Sequence, residues 1–193
     1  RVIFNPWLVV LKTTDSMVTA PTDYSIEAQD SDTATSVVAS SLDTVANGDW
    51  LLVGSHLPYR GVYFDIDGTN ALGTAALTVS YWNGGSWIDM TTANSLLTDG
   101  TFSTRTFAQD GIVSWTPTNN WVTTTFRKIY PALLVTRYFS DEPLYWTRWS
   151  VSATLTDTSV TFDQMSAANR STNYGELLAG QTFEERILYG FRG

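Results

Sequence analysis

An all-β antiparallel sandwich is the fold predicted for this chain, on three observations. Short segments alternate apolar and polar residues with a period of two, glycine turns interrupt them about every ten residues, and tryptophan is concentrated on those same segments. Trp82, Trp87, Trp115, Trp121 and Trp146 fall within or just after residues 77–121. A large aromatic set on alternating strands fills a sandwich core without disulfides or metals.

Three regions are expected: an N-terminal arm with edge strands (1–48), a β-sandwich domain (49–165) and a C-terminal tail with a short helix (166–193). In the first, an apolar piece (2–11) precedes a polar stretch whose edge strands are expected at 24–28 and 36–40, with turns at Pro21 and Asn47-Gly48; an ordinary first strand pair of the sandwich is the alternative. The second region predicts strands at 50–53, 61–66, 76–82, 87–90, 101–106, 112–116, 122–126, 133–138, 144–155 and 159–164. In 144–155, Tyr145, Thr147, Trp149 and Val151 share a face opposite Trp146, Arg148, Ser150 and Ser152, so one face is expected buried and the other wet. Leu77, Val79, Tyr81, Trp115, Trp149, Val151 and Phe162 are the predicted core. Asn83-Gly84-Gly85, Asp99-Gly100 and Asp110-Gly111 read as hairpin turns. In the tail, Thr182 followed by Glu185 matches a capping box, which predicts a helix over 182–189 with Phe183, Ile187 and Leu188 on its apolar face.

Of the 193 residues, 43% are apolar but only 16% are charged, below the rough quarter of an average domain, so Ser, Thr, Asn and Gln cover much of the surface. The net charge of −8 argues against nucleic acid and anionic membrane as partners. Cysteine is absent, which excludes disulfides, thiolate catalysis and cysteine metal sites. No apolar run reaches membrane-spanning length, and residues 7–11 are too short for a signal-peptide core. The chain opens on Arg1 instead of Met, as a processed or trimmed product would.

Catalytic constellations are not evident. The sole histidine, His56, sits in a loop-like GSHLPY stretch without a sequence-adjacent nucleophile, and Asp65, the best single carboxylate, has no obvious partner. Phosphate-loop, dinucleotide and zincin motifs are lacking, and no cofactor is expected. Asp30 and Asp32, and Asp65 and Asp67, place oxygens at alternate positions, a spacing that suits calcium; neither pair matches an EF-hand loop, and such runs ordinarily form turns. Four tryptophans near turns or on the wetter face (Trp82, Trp87, Trp121 and Trp146) are the candidates for stacking on sugar rings, were this a carbohydrate-binding module attaching to a host surface or glycan. Packing is the commoner use of tryptophan.

The succession DWLLVGS (49–55), YRGVYFDI (59–66), YWNG (81–84) with Trp87, DGT (99–101), GIVSWTP (111–117) before Trp121, and LYWTR (144–148) resembles tailed-bacteriophage virion proteins. The resemblance covers residues 24–165. It implies a jelly-roll-like β-sandwich that decorates or braces a capsid or tail in a virion, binds other virion proteins and associates with copies of itself, as a trimer. The apolar ends outside the patterned core, with Phe4 and Trp7 at one end and Phe183, Ile187, Tyr189 and Phe191 at the other, are the expected assembly contacts.

Overall fold

A computed structural model of the chain describes residues 7–30, 32–90, 96–116, 119–133 and 137–168. Two antiparallel sheets pack face to face, and the chain visits them by turns. Strands β1 (Leu8–Thr13) and β2 (Thr22–Asp23) enter the larger sheet, β3 (Val37–Val38) the smaller, β4 (Trp50–Ser55) the larger and β5 (Gly61–Gly68) the smaller. The hairpin β6 (Leu77–Trp82) and β7 (Trp87–Asp89) returns to the larger sheet, and β8 (Leu97–Asp99) and β9 (Gly111–Trp115) to the smaller. After β10 (Thr123–Thr124) and a single helical turn α1 (Phe126–Ile129), β11 (Leu144–Val151) completes the larger sheet and β12 (Thr161–Ala167) the smaller. The larger sheet runs β2-β1-β4-β11-β6-β7, with β10 on β11; the smaller runs β3-β12-β5-β9-β8.

Between the sheets lies an aromatic seam. Ring centroids are 4.9 Å apart for Phe64 and Phe162, 5.3 Å for Phe64 and Trp149, 5.9 Å for Trp149 and Trp115, 5.4 Å for Trp115 and Tyr59, and 5.0 Å for Tyr59 and Trp121, all near edge-to-face. Two of their polar groups meet inside the core at one hydroxyl: Thr147 Oγ1 accepts from Trp149 Nε1 at 2.7 Å and shares a 2.7 Å hydrogen bond with the Tyr59 hydroxyl, which also donates to the Val53 carbonyl, while the Trp115 indole N–H is buried without a partner among the described residues. Burial holds the Tyr59 phenol well above its ordinary pKa, so it stays a neutral donor. All seven residues predicted for the core are buried.

Several strands follow their sequence pattern. Asn83-Gly84-Gly85-Ser86 joins β6 to β7 as expected: Asn83 Oδ1 accepts from the Gly85 and Ser86 amides at 3.0 and 2.8 Å, and Gly84 takes φ 102°. Other segments depart from it. Residues 101–106 form no strand; they belong to one loop between β8 and β9, with Asp99-Gly100 and Asp110-Gly111 at its two ends. That loop drives Phe107 into the core at 0% exposure and is held there by Asn70, whose amides donate to the Thr106 and Phe107 carbonyls. Residues 24–28 make a helical turn instead of an edge strand, the edge going to β2, and 125–129 close α1 under the Thr125 cap.

The two sheets differ in how they meet water, against the expectation of one wet face on each. The smaller sheet has one solvated face, with Ile112 and Val38 exposed on it, but the larger sheet is buried on both. Its outer face carries Val9, Leu11, Trp50, Leu52 and Trp146, and the segment around α1 covers it with Phe126, Leu133 and Phe139. So apolar a face cannot be left in water. Because both faces of β1 are needed, Leu8–Thr13 is an inner strand of the sheet, and its one charge, Lys12, lies 3.4 Å from Asp49 and donates to Ser41 Oγ at 2.6 Å. The expected helix over 182–189, the greater part of the tail, and part of the expected strand 133–138 lie outside the described residues.

Truncating Trp149 to Ala should cost roughly 3–5 kcal/mol in denaturant unfolding; a loss under about 1 kcal/mol would mean the seam does not carry the packing. A second outcome concerns acid. The Ser159 hydroxyl and amide, with the Ala71 amide, donate to Asp157 and hold its carboxyl below the ordinary 3.8. A folded pKa below the unfolded one gives stability that is complete above the unfolded value and lost as pH falls through the folded value. Asp157→Asn should therefore be less stable at neutral pH, with a shallower stability loss on acidification than the parent.

Candidate functional site

The crossover from β4 to β5 lies at one end of the sandwich. There β4 ends at Ser55, the 56–60 loop crosses over, and β5 begins at Gly61; Leu8 of β1 and Tyr145 of β11 both pair with Ser55, while Ala167 of β12 pairs with Val62. Both described ends of the chain, Trp7 and Ala168, therefore leave at the same end.

A groove of about 660 Å³ opens beside β1 at this end. Trp7 precedes β1 and Val9 lies on it, His56 comes from the crossover loop, Asp23 ends β2, and Ile26 and Glu27 lie in the turn after it; the approach to β11 adds Arg137, Tyr138, Phe139 and Glu142, and β11 itself its first residue, Leu144. The walls are fixed by hydrogen bonds that finish the edge of β1. The Gln29 side chain clasps Leu8, accepting from its amide at 2.8 Å and donating to its carbonyl at 2.7 Å, and Ser25 Oγ accepts from the Val10 amide at 3.0 Å. Opposite, Arg137 donates from its amide to Ser140 Oγ, and Arg127 holds Asp141 with paired bonds of 2.8 and 3.1 Å. Burial raises the Tyr138 phenol pKa, and its hydroxyl lies against Ser25, Asp23 and Trp7.

Within these fixed walls the apolar lining is open to solvent: Trp7 is 51% exposed, Ile26 69% and Tyr138 57%. Single exposed apolar residues are ordinary, but three on one concave surface form an apolar patch of the kind that can take up a partner. The rim holds the sole histidine with three carboxylates and one guanidinium, yet among the described residues no hydrogen bond or ion pair joins His56 to any of them. The chemistry available is burial of an apolar segment next to net negative charge.

Of the residues singled out for assembly, Trp7 stands in the groove; Phe4, Phe183, Ile187, Tyr189 and Phe191 lie outside the described residues. The four tryptophans singled out for glycan stacking are placed apart. Trp121 and Trp146 are buried, their indoles donating to the Trp146 and Thr124 carbonyls at 3.2 and 2.9 Å, so neither offers a face to a sugar. Trp82 and Trp87 form a half-buried edge-to-face pair at 5.3 Å, with the Arg148 guanidinium 5.0 Å from the Trp87 ring and 5.7 Å from that of Trp50. A glycan platform would rest on that pair alone.

The calcium candidates are engaged as turn formers or spread along a strand. Asp30 accepts from Thr35 Oγ1 and the Asp32 amide, and Asp32 from the Ala34 amide. Asp65 and Asp67 follow one another along β5, where burial and these two charges raise the pKa of Asp163 from the paired strand. Asp163 is a neighbour that spacing in the sequence could not reveal. Among the described residues no three histidine or carboxylate side chains converge to hold a metal.

Compared with family models, with curated proteins and with solved structures, the chain finds no match.

Trp146 lies flat against β4 only because its partner there is Gly54: a Cβ at that position would stand 2.7 Å from the indole. Gly54→Ala should destabilise the protein by about 1–3 kcal/mol through overpacking. Thermal unfolding would check it, and an unchanged Tm would show the Trp146 ring free to move aside.

Proposed function

We propose that this chain is a non-enzymatic structural protein of a tailed-phage particle, which binds and stabilises or decorates the capsid or tail through subunit–subunit contacts made at the groove end of the sandwich. The observation that carries the docking role is the solvent-open apolar lining of Trp7, Ile26 and Tyr138, held on walls pinned by Gln29, Ser25 and Arg127. Rigid walls suit it: a surface already in its binding shape loses little conformational entropy when covered. The particle itself is suggested by the pattern of turns and core aromatics from DWLLVGS to LYWTR.

The test is co-sedimentation of the full chain with assembled particles. Trp7→Ala with Ile26→Asp should lower its copy number about tenfold, while unfolding changes little, since exposed substitutions away from the core are usually near neutral. Incorporation at the parental copy number would remove the groove from assembly. Failure of the parent to co-sediment at all would remove the particle role.

A further inference from the structure

We propose that the groove is the seat of residues 186–193 of a second copy of this chain. The inference rests on the assembly reading and names the contact it uses. Three observations point to this occupant. The first is charge. The groove sets Asp23, Glu27 and Glu142 against a single guanidinium around an apolar floor, and residues 186–193, RILYGFRG, carry two arginines, four large apolar side chains and no acid. The segment's composition complements the groove on both counts, apolar side chains for its floor and cations for its carboxylates.

The second is where the chain leaves. Ala168 donates its amide to the Gly61 carbonyl at the end of the sandwich on which the groove opens, and residues 169–185 follow before the segment begins. At ~3.3 Å per residue those seventeen residues reach as far as about 56 Å, enough to meet a neighbour's groove. The third is reciprocity. β12 belongs to the smaller sheet while the groove flanks the larger one. A copy that gives its segment to a neighbour keeps its own groove free to receive one, so each copy takes part in two such contacts. Head-to-tail exchange of this kind builds a ring where the rotation between copies closes and an open filament where it does not, and one segment per groove adds to the area buried at each contact, as a lasting interface requires.

The absence of cysteine makes the test direct. Full chains carrying Ile26→Cys on one size-tagged form and Leu188→Cys on the other are mixed at self-associating concentration and oxidised. The expected result is a reducible mixed dimer in excess of either homodimer, with none from Ile112→Cys mixed with Leu188→Cys, since Ile112 lies on the opposite sheet. Adding Arg186→Glu and Arg192→Glu to the donor should cut the yield about tenfold, and Glu27→Lys with Glu142→Lys in the receiver should restore it. A cross-link seen only when both cysteines share one chain would place the segment in its own groove and overturn the proposal, as would no cross-link or a charge-insensitive one. If the chain still co-sediments with particles while no mixed dimer forms, this inference fails and the assembly reading stands; loss of both removes both.

Discussion

Phe162, Phe64, Trp149, Trp115 and Tyr59 stand edge to face across the gap between the two sheets, and the Trp149 indole and the Tyr59 hydroxyl meet at Thr147. Large rings supply buried apolar area that small side chains could not, and their edges interlock in one geometry. The cost is polar atoms in a dry core: Thr147 and the Val53 carbonyl satisfy those of Trp149 and Tyr59, and the Trp115 indole N–H is left without a partner among the described residues. Tyr59 also belongs to the crossover between the sheets. The seam therefore fixes where β4 ends and β5 begins, and with that the end of the sandwich at which the groove forms.

Much of this was legible in the residues. Leu77, Val79 and Tyr81 alternate with Thr78, Ser80 and Trp82, and the structure buries the first set between the sheets. The Asn83 turn was equally plain, because asparagine caps and glycine tolerates positive φ. Less legible was the outer face of β11. Alternation separates its two faces, but it does not say that the segment just before the strand folds back to cover the second. A sign was there in β1 and β4, whose LVVL and WLLV runs do not alternate and so mark strands buried on both sides. The 101–106 segment misleads in the opposite way. Its threonine and phenylalanine content favours a strand, yet Thr101 is tied to Asp99 and Thr106 to Asn70, which leaves no ladder to join.

The groove is a harder case. Its residues come from β1, the turn after β2, the crossover loop and the approach to β11, separated by up to more than a hundred positions, and no local pattern links them. Trp7 and His56 were visible as residues; that they face one cavity with Glu27 and Glu142 follows only from strand register, Leu8 and Tyr145 both meeting Ser55. Trp121 and Trp146 show the reverse. Trp121 lies in the core between the sheets, and Trp146 lies under the segment around α1, so neither is exposed.

A stiff core with a preformed apolar groove at one end suits the role proposed for the chain, that of being built into something larger. Hydrogen–deuterium exchange on the full chain, free and in assembled particles, tests that claim most directly. Protection gained in particles at 22–27 and 137–142, with the outer face of the smaller sheet unchanged, is the result the account predicts. Protection gained instead on that acidic face, around Asp65 and Ile112, or nowhere, would contradict it.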